Sequence, residues 1–470
     1  MNKQIHLMLA CVILSAATGA VAAPHELLPD QAGDLSAAAA MAPSAAAAAV
    51  ATASAAVAAP ALAAPKLSHD TVALSWATAA GAPAPQQAAP FVARSKETYV
   101  TVTADQLAAG VPLHTTAPRA LVRVQALSDV GPREQQAIHP LSMTVLDKTG
   151  RAYDSGAGME MIVSADKLAK ADVPFAAGTS AFRLHPSLGA GTFKLRVDGA
   201  SGGDRYLLNV VEPDSPYTLT MQAGALQYLH GQQLVLTADL QDAGTVAGMR
   251  AASGGAAVRR AVGKMDAYVI SPAGRRFPVT FKPAADGSMR ASLALDADEA
   301  PSPGLWEARV EASATVQGQT VLRSLRLAFP VALPAARLTR SMALADGGGV
   351  NLQVGVEAAA AGRYEVRGML YGMVKGALVP LGVADSAQWL EAGQGQIALS
   401  FAPELIAGAA GPFELRDLFL LDQGRMGVLH RQQRALVVSE DEVVRAGGRS
   451  AAPARAAPPP EMHVKRPPSL

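Results

Sequence analysis

The sequence predicts an all-β protein: tandem β-sandwiches flanked by disordered Ala/Pro-rich tails. Three observations carry this. Short apolar runs alternate with polar residues at period two, which puts one set on a core face and the other in water. Turn signals built from Gly, Pro and Asp recur every ten or so residues. Both ends are low-complexity stretches dominated by Ala and Pro, in contrast to the middle of the 470-residue chain.

Lys3 gives a short positive start, an apolar run follows from Leu7 to Ala17, and then come the small residues Ala20-Val21-Ala22. That is the layout of a secretory signal peptide over 1–22, cut after Ala22, and it predicts an exported protein in the periplasm, at the cell surface or in the medium. The single cysteine, Cys11, lies inside the apolar run, so the mature chain has no thiol and no disulfide. Leu9-Ala10-Cys11 also resembles a lipoprotein processing site, but the apolar run continues past it through Leu14.

Residues 23–90 read as a disordered Ala/Pro-rich tether. Ala45–Ala59 favours helix but has no large apolar stripe to bury. Pro43 and Pro60 interrupt the Ala-rich stretch, and no other run reaches the roughly 18 apolar residues of a membrane helix, so no transmembrane segment is expected after signal cleavage.

The N-terminal β-sandwich module spans 91–215. Phe193, Leu195 and Val197 alternate with Lys194 and Arg196 in it, and Asp147–Gly150 is a turn. Glu212-Pro213-Asp214-Ser215-Pro216 is a stiff joint to the middle module, 216–333. There Trp306, Ala308 and Val310 alternate with Glu307, Arg309 and Glu311, and Leu325, Leu327 and Phe329 follow Arg323 at the same spacing. Ala243–Ala261, rich in Gly and Ala, is a long hairpin loop. A second joint, Pro330 to Pro334, leads to the C-terminal module, 334–440, in which Tyr364 and Val366 alternate with Arg363, Glu365 and Arg367. Residues 441–470 are a disordered tail.

Composition excludes several function classes. Net charge is +1 and charged residues are 17 % of the chain, so no basic excess points to nucleic acid. Gly199-Ala200-Ser201-Gly202-Gly203 matches a nucleophile elbow, but Asp204 to Val211 reads as a strand where that motif needs a helix, so a hairpin turn is expected. Ser164-Ala165-Asp166-Lys167 and Lys148-Thr149-Gly150 match two β-lactamase motifs in reversed order with no S-D-N between them. Gly393–Ala398 mimics a dinucleotide fingerprint but continues as a strand through Ile397, Leu399 and Phe401. The nine histidines, including His114, His139, His185 and His230, lack ligand-pair spacing. Asp296, Asp298 and Glu299 form the best acidic cluster and the one weak calcium candidate, without the spacing of a full calcium loop. Trp76, Trp306 and Trp389 form no aromatic row. No cofactor is predicted.

The last module has the most distinctive wording: Arg363-Tyr364-Glu365-Val366-Arg367-Gly368-Met369-Leu370-Tyr371-Gly372, then Ala387-Gln388-Trp389-Leu390-Glu391-Ala392-Gly393, then Gly411-Pro412-Phe413-Glu414-Leu415-Arg416-Asp417-Leu418 and Leu421-Asp422-Gln423-Gly424-Arg425-Met426. It resembles the C-terminal module of an exported bacterial family of unknown function, domain-of-unknown-function family 4785. The resemblance covers about residues 91–440 and implies three consecutive modules, the later ones immunoglobulin-like. It carries no catalytic residues. In the same stretch Arg416, Asp417, Asp422 and Arg425 place opposite charges around a strand and its turn, where pairing would pin the corner.

These readings together predict an exported, non-enzymatic binding or spacer protein of tandem immunoglobulin-like β-sandwiches, with a protein or cell-surface ligand as partner. The alternatives are a hydrolase or metal-dependent enzyme with a site assembled between modules, and a periplasmic accessory or chaperone-like factor that accepts a client strand at an exposed edge.

Overall fold

The computed structural model describes residues 24–41, 67–78, 89–127, 137–170, 178–200, 204–243, 258–295 and 304–448. These residues build antiparallel sheets with a few short helices. The one parallel pairing among the described strands joins Tyr228–Leu229 to Val331–Ala332. The chain is all-β, as its period-two texture dictates. The expected signal peptide, including Cys11, and the acidic cluster Asp296, Asp298 and Glu299 lie outside the described residues.

The described residues fall into two compact units. One is continuous in sequence, 89–332, and the other is split, gathering 24–41, 67–78 and 333–448.

The continuous unit contains two sandwiches. In the first, a five-stranded sheet runs in the order Glu97–Thr103, Arg205–Val211, Leu121–Leu127, Thr179–Leu184, Met159–Val163. It packs on a four-stranded sheet ordered Val111–Thr115, Gly191–Val197, Met143–Leu146, Ala152–Tyr153. Inward residues of both sheets, Val122, Val124, Phe182 and Leu208 from one and Leu113, Val145 and Leu195 from the other, share one core. In the middle sandwich, Leu219, Met221, Leu234 and Leu236 pack against Val269, Trp306, Val310 and Leu325 of the facing sheet. Burying such aliphatic faces is the main stabilising term available to a chain without disulfides.

Several boundaries differ from the expected ones. Val92–Ser95 lies in the span assigned to the N-terminal module but pairs with Tyr217–Ala223 of the middle sandwich. Gly191–Val197 and Arg205–Val211 sit in opposite sheets of the first sandwich, so the chain at Gly199 crosses between layers and is no hairpin. Ser201 to Gly203 lie outside the described residues. The long Gly/Ala loop leaves one strand at Asp242 and returns in Val258–Arg260, paired antiparallel beside it.

The split unit is a third sandwich. One sheet is ordered Pro24–Glu26, Ala336–Ala345, Val350–Ala358, Gly393–Phe401, and the other Val72–Ala77, Ala377–Leu390, Gly362–Val374, Ala410–Asp422, Gly427–Val438. This corrects the expected tether. Within 23–90, Pro24–Glu26 pairs with Ser341–Ala343 and Val72–Ala77 with Gly382–Ala387. Leu27 and Leu35 are buried. The physical reason differs between the two: the first stretch is anchored by burying Leu27 and Leu35, whereas Val72–Ala77 keeps its apolar side chains exposed and is held by backbone pairing at a sheet edge. The expected tail from 441 is likewise shortened, because Ser439 caps the helix Glu440–Arg445 through a capping box with Glu442, and Val443 is buried.

Candidate functional site

A concave feature of the continuous unit grows out of one strand. Glu97–Thr103 ends its five-stranded sheet and pairs with Arg205–Val211, setting Thr98 opposite Val210, Val100 opposite Leu208 and Val102 opposite Tyr206. Residues directly opposite one another share a face. Thr98, Val100 and Val102 therefore point the same way as Leu208 and Val210, which are core residues. Val102 is covered, yet Val100, in the same phase, is 48 % exposed. A position patterned for the interior is left open.

The opening follows from how the chain changes sheets. Thr103 and Gln106 form a capping box that starts the helix Ala104–Ala109, and Leu107 of that helix is fully buried. Gly110, at φ 99°, makes the left-handed turn that releases the chain into Val111–Thr115 of the other sheet. The helix therefore closes one end of a slot between the two sheet edges. The third wall comes from the middle sandwich: Leu322 lines the slot. Its strand, Gln319–Phe329, is fastened alongside by the Tyr99 N–H donating to Ser324 Oγ (3.2 Å) and by Arg326 Nε donating to the Tyr99 hydroxyl (3.0 Å). The Arg326 guanidinium also stacks over the Tyr99 ring.

The hollow has a volume of about 450 Å³, inside the range of small-molecule sites. Val100, Val102, Leu208 and Val210 line it from the five-stranded sheet and Val111 and Leu113 from the other sheet. The polar residues along it are Thr98, Thr101, Gln106 and His114, with Thr101 in the opposite strand phase to Thr98 and Val100. His114 Nδ1 lies 3.2 Å from Thr192 Oγ1. Burial pushes its pKa below the ordinary 6.5, which favours the neutral ring. Among the described residues lining the hollow, none is a Lys or Arg and none is a carboxylate that could orient a base.

Close to the hollow, the two sandwiches are locked by a buried ion pair. Arg323 Nη1 is 2.7 Å from Glu212 Oε2, and both side chains are almost wholly buried. Every guanidinium N–H is used: Nε donates to Tyr217 O, Nη1 also to Leu322 O, and Nη2 to Ser215 Oγ and Thr116 Oγ1. The other Glu212 oxygen accepts from the Thr116 N–H, the Thr116 hydroxyl and the Ala117 N–H. Burial pulls the Arg323 pKa down and the Glu212 charge opposes that pull. The partners come from the joint, from the first sandwich and from the middle one, so the network fixes the wall that Leu322 supplies.

The residues singled out in the sequence have local roles. His139 and His185 cap short 3₁₀ turns, and His230 packs edge-on against Trp306 in the middle core. No group of three potential ligands gathers among the described residues. Lys148-Thr149-Gly150 is a turn held by the Asp147 carboxylate, which accepts from the Thr149 hydroxyl, the Thr149 and Arg151 N–H groups and the Tyr153 hydroxyl. The hydrogen bonds from Thr149 lead in lowering its pKa to about 2. Gly393–Phe401 is a strand. Trp306 is core, whereas Trp389 stacks on His69 with centroids 3.9 Å apart.

Of the four corner charges, two meet. Asp422, fully buried, pairs with Arg425 at 2.6 Å and accepts from the Gly424 and Arg425 N–H groups. Arg416 instead joins Glu414 at 2.7 Å, which Arg434 also reaches at 2.7 Å. Asp417 sits at φ 47°, beside the register shift at Arg416, and burial raises its carboxyl above the usual range. On the same sheet Asp385 stands opposite Arg367 and Leu74. Burial, then the neighbouring Glu365 carboxylate, pushes its pKa up to about 6. Val72, Leu74 and Trp76 form an exposed apolar row on the adjoining end strand.

The hollow escaped the sequence reading because it is made by an absence of cover. Its one legible signal is Thr98-Val100-Val102, a core-phase row at a strand followed at once by a capping box.

A profile described as the DUF4785 N-terminal domain matches residues 63–212, and one described as the DUF4785 C-terminal domain matches 335–439. The first match begins before Val72–Ala77, which belongs to the split unit. No curated protein matches this chain. Among solved structures, a DUF4785 family protein (lpg0956) from Legionella pneumophila superposes with a TM-score of 0.60 at 19 % identity, over 79 % of this chain and 94 % of that one. A trypsin-activated alpha-2-macroglobulin from Escherichia coli aligns at a TM-score of only 0.19 and 14 % identity, over 68 % of this chain and 22 % of that one, and bears no weight. No helix among the described residues is long and apolar enough to cross a membrane. With its two domain profiles together covering more than half of its length and a shared fold behind them, the chain belongs to the DUF4785 family.

Proposed function

We propose that this chain is an exported, non-enzymatic binding protein that holds a small apolar ligand in the hollow between its first and middle sandwiches. The observation that carries this is Val100: a core-phase residue left open beside buried Leu208 and Val210 on the same sheet face. Interiors are normally packed to crystal-like density, so an uncovered interior face of this size has a binding use. The uncharged lining supports binding over chemistry, since acid–base or nucleophilic catalysis needs a polarised pair within reach. The leader-like first 22 residues support export. The test is titration with Nile red, a neutral apolar dye. Saturable one-site binding that is lost in Val100→Trp supports the reading, and absence of binding overturns it. Fractionation of cells tests the address, and a cytoplasmic protein with its first 22 residues intact would sink export.

A second reading rests on the end strand Val72–Ala77. It carries no Lys or Pro to blunt it, and Val72, Leu74 and Trp76 are exposed. Such an edge accepts an extended peptide strand. Binding of unfolded client chains that is abolished by Ser75→Pro, with Nile red binding unchanged, would favour this role over the first.

A further inference from the structure

We infer that the ligand of the hollow is a straight aliphatic chain with a neutral, oxygen-bearing end, such as an alcohol, ester or amide. The inference rests on the binding reading above and names its ligand class. Among the described lining residues there is no Phe, Tyr or Trp, so a flat aromatic ligand finds no stacking platform, while valine and leucine methyl groups suit a flexible alkyl chain. The lining has no charge to pair with an ionic head, and a charge drawn into it would lose hydration without compensation.

The polar groups fit the other end of such a molecule. Gln106 Oε1 is already taken by the Thr103 N–H (2.8 Å), which leaves the amide Nε2 as donor. His114 uses Nδ1 toward Thr192, which leaves its second ring nitrogen. The Gln106 amide donor among methyl-lined walls suits a molecule with one neutral acceptor at the end of an apolar body.

The experiment is calorimetric titration of the whole protein with a series of 1-alkanols, the alkylammonium ions of matching length, and an aromatic alcohol of equal carbon count. Affinity should rise about fourfold per added methylene until the hollow is full and then level off. The ammonium partner should bind at least about tenfold more weakly, and the aromatic alcohol more weakly than the matching alkanol. Val100→Trp should remove alkanol binding. Val100→Ala, which only enlarges the space, should move the levelling-off point to longer chains and keeps the test open should the tryptophan variant not fold. Leu74→Ser, on the apolar row of the other unit, should change nothing. Affinity independent of chain length, an aromatic alcohol binding as tightly as the alkanol, alkanol binding unchanged in both Val100 variants, or loss of binding in Leu74→Ser would each overturn the proposal. If alkanols fail while Nile red still binds in a Val100-dependent way, the ligand class is wrong and the binding reading stands. If neither binds, the reading itself falls.

Discussion

At the residue scale, the Glu212–Arg323 network sets the clearest expectation. A buried ion pair opposes its own desolvation, and removing one partner strands the other. Arg323→Met should lower stability by roughly 3–5 kcal/mol in urea titration, and Glu212→Gln by a similar amount. The double variant should be milder than the sum of the singles by about 1–3 kcal/mol. Additive losses would mean the two side chains act independently. Asp385 gives a pH test. Its folded pKa of about 6 lies above the ordinary 3.8 of an aspartate, so the folded protein binds that proton more tightly than the unfolded chain. This stabilisation is complete below pH 3.8 and is lost as pH rises through about 6. At pH 7 the ionised carboxylate faces Glu365 and burial at a net cost. Asp385→Asn should therefore raise stability at pH 7 by about 1 kcal/mol, less than the full shift because water reaches the pair, and should flatten the pH dependence between about pH 4 and 6. A variant less stable at pH 7 would refute this assignment. Arg323 was partly legible in the sequence, since it stands in the core phase of Leu325, Leu327 and Phe329. Arg416 was not legible: register shifts beside it hand it to Glu414 and turn Asp417 aside.

At the element scale, alternation identified the strands that cover a core on one face, because period two is a local property. It could not identify strands whose meaning comes from a distant edge. Pro24–Glu26 and Val72–Ala77 are separated from their partners by about 300 residues, and Ala/Pro-rich sequence surrounds them. The anchoring beside Pro24–Glu26 is nonetheless ordinary packing. Leu27 is 5 % exposed, its N–H donates to Arg340 O, and the Leu28 N–H donates to Ala435 O. Leu27→Ala should destabilise the split unit by roughly 2–5 kcal/mol, the usual cost of emptying a buried leucine site. Hydrogen exchange should show faster opening at Ser341–Ala343 in that variant, with protection around Val100 unchanged. Unchanged exchange at Ser341–Ala343 would mean that the N-terminal strand is not held by this leucine. The hollow belongs to the same lesson, because a strand end, a capping box and a neighbouring sandwich make it jointly.

At the scale of the whole molecule, the chain leaves one unit after Thr78, builds a second from 89–332, and returns to finish the first. A reading of consecutive modules misses this, since composition marks linkers but not the destination of what lies before them. The two units then differ in what they need to fold. Every described strand between Val92 and Ala332 pairs with another strand in that span, including the parallel pair Tyr228–Leu229 with Val331–Ala332. A chain of 89–332 alone should therefore unfold cooperatively and keep the hollow, with Nile red affinity equal to that of the full protein. A chain of 333–448 alone lacks an end strand of each sheet, exposing the edge of Ala336–Ala345 and the edge of Ala377–Leu390. It should aggregate or melt early. Fusing 24–78 to its front through a flexible linker should restore a sharp transition, because loop-closure entropy rises only slowly with linker length. If 333–448 melts as sharply without those strands as with them, the N-terminal segments are passengers on that sheet, and the split unit is complete from Leu333 onward.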